Sequence, residues 1–177
     1  MTPRPKNPPA RARRVRTSVA AALAAVALAA AACEGDAMGP LPREGAPDAL
    51  RFSIGGFAVD VREIELRGDT VVYRRTSWGG PGETVDSVRV VPTADAWRAF
   101  WEAADDAGVR RWRTRYLAED VVDGSGWTLS LVADGLQLHS AGSNAYPDHR
   151  GREHELEPTP AFEGFVAGAG ALIGRGF

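Results

Sequence analysis

The segment WTLSLVADGLQLHSAGSNAYPDHR, residues 127–150, decides the fold. Its first half alternates, with Trp127, Leu129 and Leu131 on one parity and Thr128 and Ser130 on the other, which is the period of a strand buried on one face. Asp134-Gly135 then supplies a two-residue turn, because both central positions of such a turn take positive φ, which Asp and Gly tolerate. The resulting register sets Leu131 against Leu138, Leu129 against Ser140 and Trp127 against Gly142 on the apolar face, with Ser130 against His139 on the other. The second strand runs into residues 142–147, GSNAYP, a polar turn that carries the most distinctive local chemistry of the chain.

Upstream, Leu50, Phe52 and Ile54 alternate with Arg51 and Ser53 as a first strand. Residues 57–66 form a second, whose apolar parity changes between Val61 and Ile64, so a bulge is expected near Arg62-Glu63. Gly68-Asp69 turns the chain into a third strand, pairing Leu66 with Val71, Ile64 with Tyr73 and Glu63 with Arg74. A glycine-rich loop, residues 77–83, leads to a fourth strand at 84–91, and Trp78 in that loop is expected to fold back on the core. Thr93 caps a helix closed by Gly108, with Trp97, Phe100, Trp101 and Ala104 on one face. Thr159 and Pro160 open a second helix with a stripe of Phe162, Phe165, Val166, Ala169, Leu172 and Ile173. Together these elements read as α+β: an antiparallel sheet of about six strands in the order ββββ-α-ββ-α, with two helices packed on one face.

The N-terminus reads as an address rather than as fold. Six basic residues, Arg4, Lys6, Arg11, Arg13, Arg14 and Arg16, precede a run of small apolar residues at 19–32 that ends at Cys33, the pattern of an export signal. Ala30-Ala31-Ala32-Cys33 resembles a bacterial lipobox, and Cys33, the single cysteine of the chain, stands where a lipid would be attached. Residues 1–32 are thus expected to be a lipoprotein signal peptide, 33–49 a flexible tether rich in Pro and Gly, and 50–177 one domain. Glu34 after the cysteine is not the aspartate linked to inner-membrane retention, which favours an outer membrane where there is one. Cleavage before Cys33 leaves 15 Arg against 23 Asp and Glu, a formal net charge of −8, which disfavours nucleic acid as a partner.

Cofactor and metal patterns are missing: there is no second cysteine, His154-Glu155 lacks the later histidine of a zinc-protease helix, and Asp120 with Asp123-Gly124 lacks the ligand spacing of a calcium loop. Four arginines within residues 110–115 suggest a solvated face paired with Glu119, Asp120 and Asp123, or an anion-binding surface. The reading taken from residues 142–148 is a recognition surface formed by Asn144, Tyr146 and Asp148 beside Trp127, Trp112, Tyr116 and Arg113, weighed against a structural turn with Tyr146 beneath it. The alternatives are a small extracytoplasmic hydrolase, with Ser143 or Ser125, His139 or His149 and Asp148 as a triad and Ser143 with His149 as the leading pair, and a purely structural envelope lipoprotein.

The helix motif P-T-x-x-x-W-x-x-F-W at residues 92–101, Asp123-Gly124, the strand at Trp127 and the GSNAYP turn together resemble a group of bacterial lipoproteins and secreted domains without assigned activity. The resemblance covers roughly residues 52–173 and implies an envelope location and an α+β fold, with no mechanism attached. The expected function is that of a lipid-anchored envelope protein, a non-enzymatic binding module contacting an envelope protein or polymer.

Overall fold

A computed structural model describes residues 41–78, 82–121 and 123–177; the signal, the lipobox with Cys33, the first part of the tether and Gly79, Gly80 and Pro81 of the glycine-rich loop lie outside the described residues. Its elements in chain order are β1 (Ala49–Gly56), β2 (Val59–Arg67), β3 (Thr70–Thr76), β4 (Thr84–Val90), α1 (Ala94–Asp106), a 3-10 turn (Val109–Arg111), β5 (Arg115–Leu117), β6 (Ser125–Ala133), β7 (Leu136–Ser143), β8 (Ala145–Pro147), β9 (Glu153–Glu155) and α2 (Pro160–Ala171). Seven strands form one open, mostly antiparallel sheet in the order β4-β3-β2-β1-β6-β7-β5, and β8 and β9 form a separate ribbon. The class is α+β, as expected, with one more strand in the sheet than the sequence announced. That extra strand is β5, three residues of the arginine segment running parallel to β7, too short to carry a period.

The β6–β7 hairpin has the anticipated register, and Asp134 and Gly135 both take positive φ, +46° and +80°. The β2–β3 register also follows the sequence. In the β1–β2 pair the irregularity falls earlier than residues 62–63. Gly55 faces the extra residue of β2 around Asp60-Val61, where the Val61 side chain lies so close that a Cβ on Gly55 would meet it at 2.8 Å. This displacement leaves Val59 and Val61 outside the core.

Alternation gives the sheet two unlike faces. On one, Phe52, Ile64, Val71, Leu129 and Leu131 are buried under the helices. The other carries Arg51–Glu63 at 2.8 Å, Arg67–Glu65 at 2.6 Å and Arg74–Glu63 at 3.5 Å, together with Ser53 Oγ and Thr128 Oγ1 at 2.8 Å. Its charges therefore satisfy one another.

Both helices are capped where the sequence places the caps: Ala96 N–H donates to Thr93 Oγ1 and Phe162 N–H to Thr159 Oγ1. Trp97, Phe100, Trp101 and Ala104 of α1 are buried. Of the α2 glycines, Gly168 admits the neighbouring helix, since a Cβ there would lie 2.4 Å from Ala103 Cβ, and Gly170 admits the C-terminal strap, where a Cβ would lie 2.6 Å from Arg175 O. Phe162 is the hub of the core, with ring centroids 5.0 Å from Trp127, 5.0 Å from Tyr146, 5.8 Å from Trp112 and 6.3 Å from Phe52. The strap after α2 covers the rest of the inner face: Phe177 packs 5.1 Å from Phe52, and Arg175 lies over Tyr73 and pairs with Asp86 at 3.0 Å.

The expected tether ends sooner than residue 49. Leu41 is buried, the Trp101 indole N–H donates to Gly45 O, and Asp48 N–H donates to Val132 O, so from Leu41 onward the chain belongs to the domain.

Candidate functional site

The GSNAYP turn forms from the inside. Trp127 faces Gly142 across the hairpin, and its indole passes over that residue to donate to Ala145 O at 2.9 Å. A Cβ on Gly142 would meet Trp127 Nε1 at 2.2 Å, so only glycine lets the ring through. Asn144 takes a left-handed conformation, φ +51°, and its side-chain oxygen accepts from Ser125 N–H at 2.7 Å. Its main chain is held too, donating to Ser125 O and accepting from Leu156 N–H. Tyr146 then points inward onto Phe162.

Asp148 begins the loop between β8 and β9 and organises it. Its Oδ1 accepts from the main-chain N–H groups of Arg150 and Arg152, and its Oδ2 from the Arg152 side chain at 2.8 Å, with His154 Nε2 at 3.5 Å. Burial alone would raise the carboxyl, but the bonds from Arg152, Arg150 and His154 outweigh it and hold the group well below the usual carboxylate range. The arginine segment docks against this loop. Arg111 donates to His149 O, Arg113 to Gly151 O and Tyr116 Oη to Gly151 O, each at 3.2 Å. Burial pushes the Tyr116 phenol up, against the opposing pull of Arg113. Gly108 and Gly151 permit the contact, since a Cβ on either would lie about 2 Å from a carbonyl oxygen of the facing segment, at 2.1 Å and 2.0 Å.

This geometry corrects the recognition surface expected of these residues. Asn144 and Asp148 are 7 % exposed, Trp127 and Tyr146 2 %, and Trp112 and Tyr116 are equally enclosed. Side chains this buried have no surface to offer a partner; they build the turn. Arg113 alone of the set is exposed, and its guanidinium lies over the Tyr116 ring while holding Gly151 O. The arginine segment thus pairs with main-chain carbonyls of a loop far along the chain, a partner no local pattern announces.

Nor is the hydrolase arrangement assembled. Ser143 ends β7 and His149 stands in the β8–β9 loop, while the oxygens of Asp148 are taken by Arg150, Arg152 and His154 and do not orient His149. The serine that meets a histidine is Ser130, whose Oγ lies 2.6 Å from His139 Nδ1 on the open face of the sheet. Both lie in strand interiors, where the ladder engages the main chain that would otherwise supply an oxyanion hole. Among the described residues no group of three or more His, Cys, Asp and Glu is placed to hold a metal ion, and no helix is long and apolar enough to cross a membrane.

The surface feature the sequence did not announce lies at the same end of β1 as the GSNAYP turn, on the other side of the Gly124-Ser125 segment that Asn144 holds. Phe57, Val59, Val61, Trp78 and Val85 are 41–56 % exposed and gather where the β1–β2 turn meets the start and end of the β3–β4 loop. Trp78 does not fold back on the core; its ring packs edge-on against Phe57 at 4.8 Å. The pair is braced from below. Phe57 N–H donates to Gly124 O at 2.9 Å, Trp78 N–H to Asp60 Oδ1 at 3.2 Å and Ser77 N–H to Glu83 O at 3.0 Å. A Cβ on Gly56 would meet Gly124 O at 2.3 Å, so the turn sits directly on the 123–124 backbone. Asp60, which accepts from Trp78 N–H, lies beside the two rings, with Arg75 3.7 Å from it. A soluble domain rarely leaves two neighbouring aromatic rings and three valines uncovered at one place unless something binds there. The tip can supply apolar area and a π-face beside the Asp60 carboxylate.

Compared with known proteins, the chain matches no family model and no curated protein.

Proposed function

We propose that this chain is a lipid-anchored protein of the bacterial cell envelope, fixed through Cys33 to a membrane surface, whose domain is a non-enzymatic binding module for an envelope protein. The observation that carries the reading is the exposed Phe57–Trp78 pair with its three flanking valines, hydrogen-bonded through the main chain to Gly124 and Asp60. The anchoring part rests on the basic segment, the apolar run and the lipobox-like Ala30-Ala31-Ala32-Cys33. The contact surface assigned here is the tip, in place of the buried Tyr146 turn.

Photo-crosslinking in the native host tests this, with a reactive aromatic analogue at position 78 and another at 146. A discrete adduct from 78 and none from 146 is the expected result. Capture from neither, together with ester or peptide turnover that Ser143→Ala abolishes, would make the chain a hydrolase instead. Cys33→Ala should move the protein into the soluble fraction; retention with membranes would refute the anchor.

A further inference from the structure

The two edges of the main sheet differ sharply. At one, β5 is three residues long and is covered: Leu117 N–H donates to the Glu153 carboxylate at 3.0 Å, which ties that edge to the β8–β9 ribbon. At the other, β4 runs for seven residues, pairs with β3 on one side only, and ends the sheet. An edge of this length leaves roughly three or four N–H groups and as many carbonyls facing outward. Of the usual defences of an exposed edge β4 lacks Pro, Lys and shortness; its charge Asp86 turns inward to Arg175, and its irregularity is confined to the Thr84 end. Its outward positions Val85, Ser87 and Arg89 are exposed, and Val85 continues directly into the Phe57–Trp78 tip.

From this juxtaposition we infer that the β4 edge and the aromatic tip together accept an extended, Lys- or Arg-bearing peptide segment of another protein, which adds to the sheet as an eighth strand and sets a cationic side chain against Trp78. The inference rests on the binding-module reading above and names its partner's chemistry. Main-chain pairing along β4 supplies the affinity of such an addition, and side chains at its end supply the selection. Selection here favours cations. Residues 41–177 hold 15 Arg and 21 Asp and Glu, a formal net of −6, and the Asp60 carboxylate accepts from Trp78 N–H beside the two rings. The same charge disfavours a second copy, because two such domains repel one another.

Backbone amide hydrogen exchange tests the inference with two ten-residue peptides, one alternating Val and Lys and the other alternating Val and Glu, added to the full chain. The Val/Lys peptide should slow exchange in β4 by about tenfold, and the Val/Glu peptide by less than about twofold. Trp78→Ala and Val85→Lys, each checked for its fold by circular dichroism, should return the exchange toward that of the free protein. Equal protection by both peptides would overturn the charge selection. Protection that rises with protein concentration alone, with a dimer in sedimentation, would make the occupant a second copy. Protection of residues 57–61 by phosphatidylcholine vesicles and by neither peptide would make it a bilayer. If no probe protects β4 while position 78 still captures a partner in the host, strand addition is wrong and the binding-module reading stands.

Discussion

Asn144 offers the sharpest test of whether the GSNAYP turn is architecture. Two terms separate in two variants. Asn144→Gly keeps the backbone at ease, since glycine adopts φ +51° freely, but removes the oxygen that Ser125 N–H donates to at 2.7 Å. A partly buried donor left without its partner costs about 1–3 kcal/mol. Asn144→Ala loses the same bond and also forces a Cβ into the left-handed region, which adds about 1 kcal/mol. The expected losses are therefore about 1–3 kcal/mol for Gly and about 2–4 kcal/mol for Ala, with the difference between them isolating the backbone. Urea unfolding followed by tryptophan fluorescence measures both, because Trp127 bonds to Ala145 O in the same turn. If both variants lose less than about 0.5 kcal/mol, the range of an ordinary surface substitution, the turn does not hold the fold and the argument from burial fails. Equal losses for Gly and Ala would refute the backbone term alone.

Two further predictions concern the neighbouring loop and the helix pair. Asp148 has a carboxyl held below its unfolded value, so the stability it contributes is complete above the unfolded pKa of about 3.9 and is lost as pH falls through that value toward the folded one. The stability gap between the natural chain and Asp148→Asn should accordingly narrow between about pH 5 and pH 3, and a gap that stays constant across urea midpoints taken over that window would contradict the assignment. Gly168→Ala places a Cβ 2.4 Å from Ala103 Cβ; overpacking of about 1–3 kcal/mol outweighs a propensity gain of up to about 1 kcal/mol. Thermal unfolding should show a lower midpoint for Gly168→Ala, recovered in part by Ala103→Gly in the same chain, and no recovery would mean that the helices do not meet there.

Features set by short-range chemistry were legible in the sequence. The Asp134-Gly135 turn, the Leu131–Leu138 and Ile64–Tyr73 registers and the Thr93 and Thr159 caps each depend on residues a few positions apart. The β1–β2 irregularity was half legible: the change of parity was visible, but whether it buries Val59 and Val61 or leaves them outside depends on where Gly55 sits against Val61. The candidate site was legible as a peculiarity and misread as a surface. What encloses Asn144, Tyr146 and Asp148 is Ser125, Phe162 and a docked arginine segment, all set by topology rather than by neighbours in the chain. Trp78 was misplaced for the opposite reason, since a tryptophan in a glycine-rich loop carries no sign of which ring receives it, and Phe57 is 21 positions away.

The place of β1 in the sheet also governs the order in which the molecule can assemble. Strands β1 to β4 form a meander whose neighbours are joined by two tight turns and one seven-residue loop, so they can pair as soon as they exist. The far side of β1 pairs with β6, where Phe52 stands opposite Leu129, and that partner lies more than 70 residues later. Until it arrives, Phe52 sits on an open central strand, and its ring partners Phe162 and Phe165 on α2 follow later still. The chain therefore commits to its core only near its C-terminal end, and a fragment stopping after β4 would be a sheet with two bare edges and an uncovered apolar face.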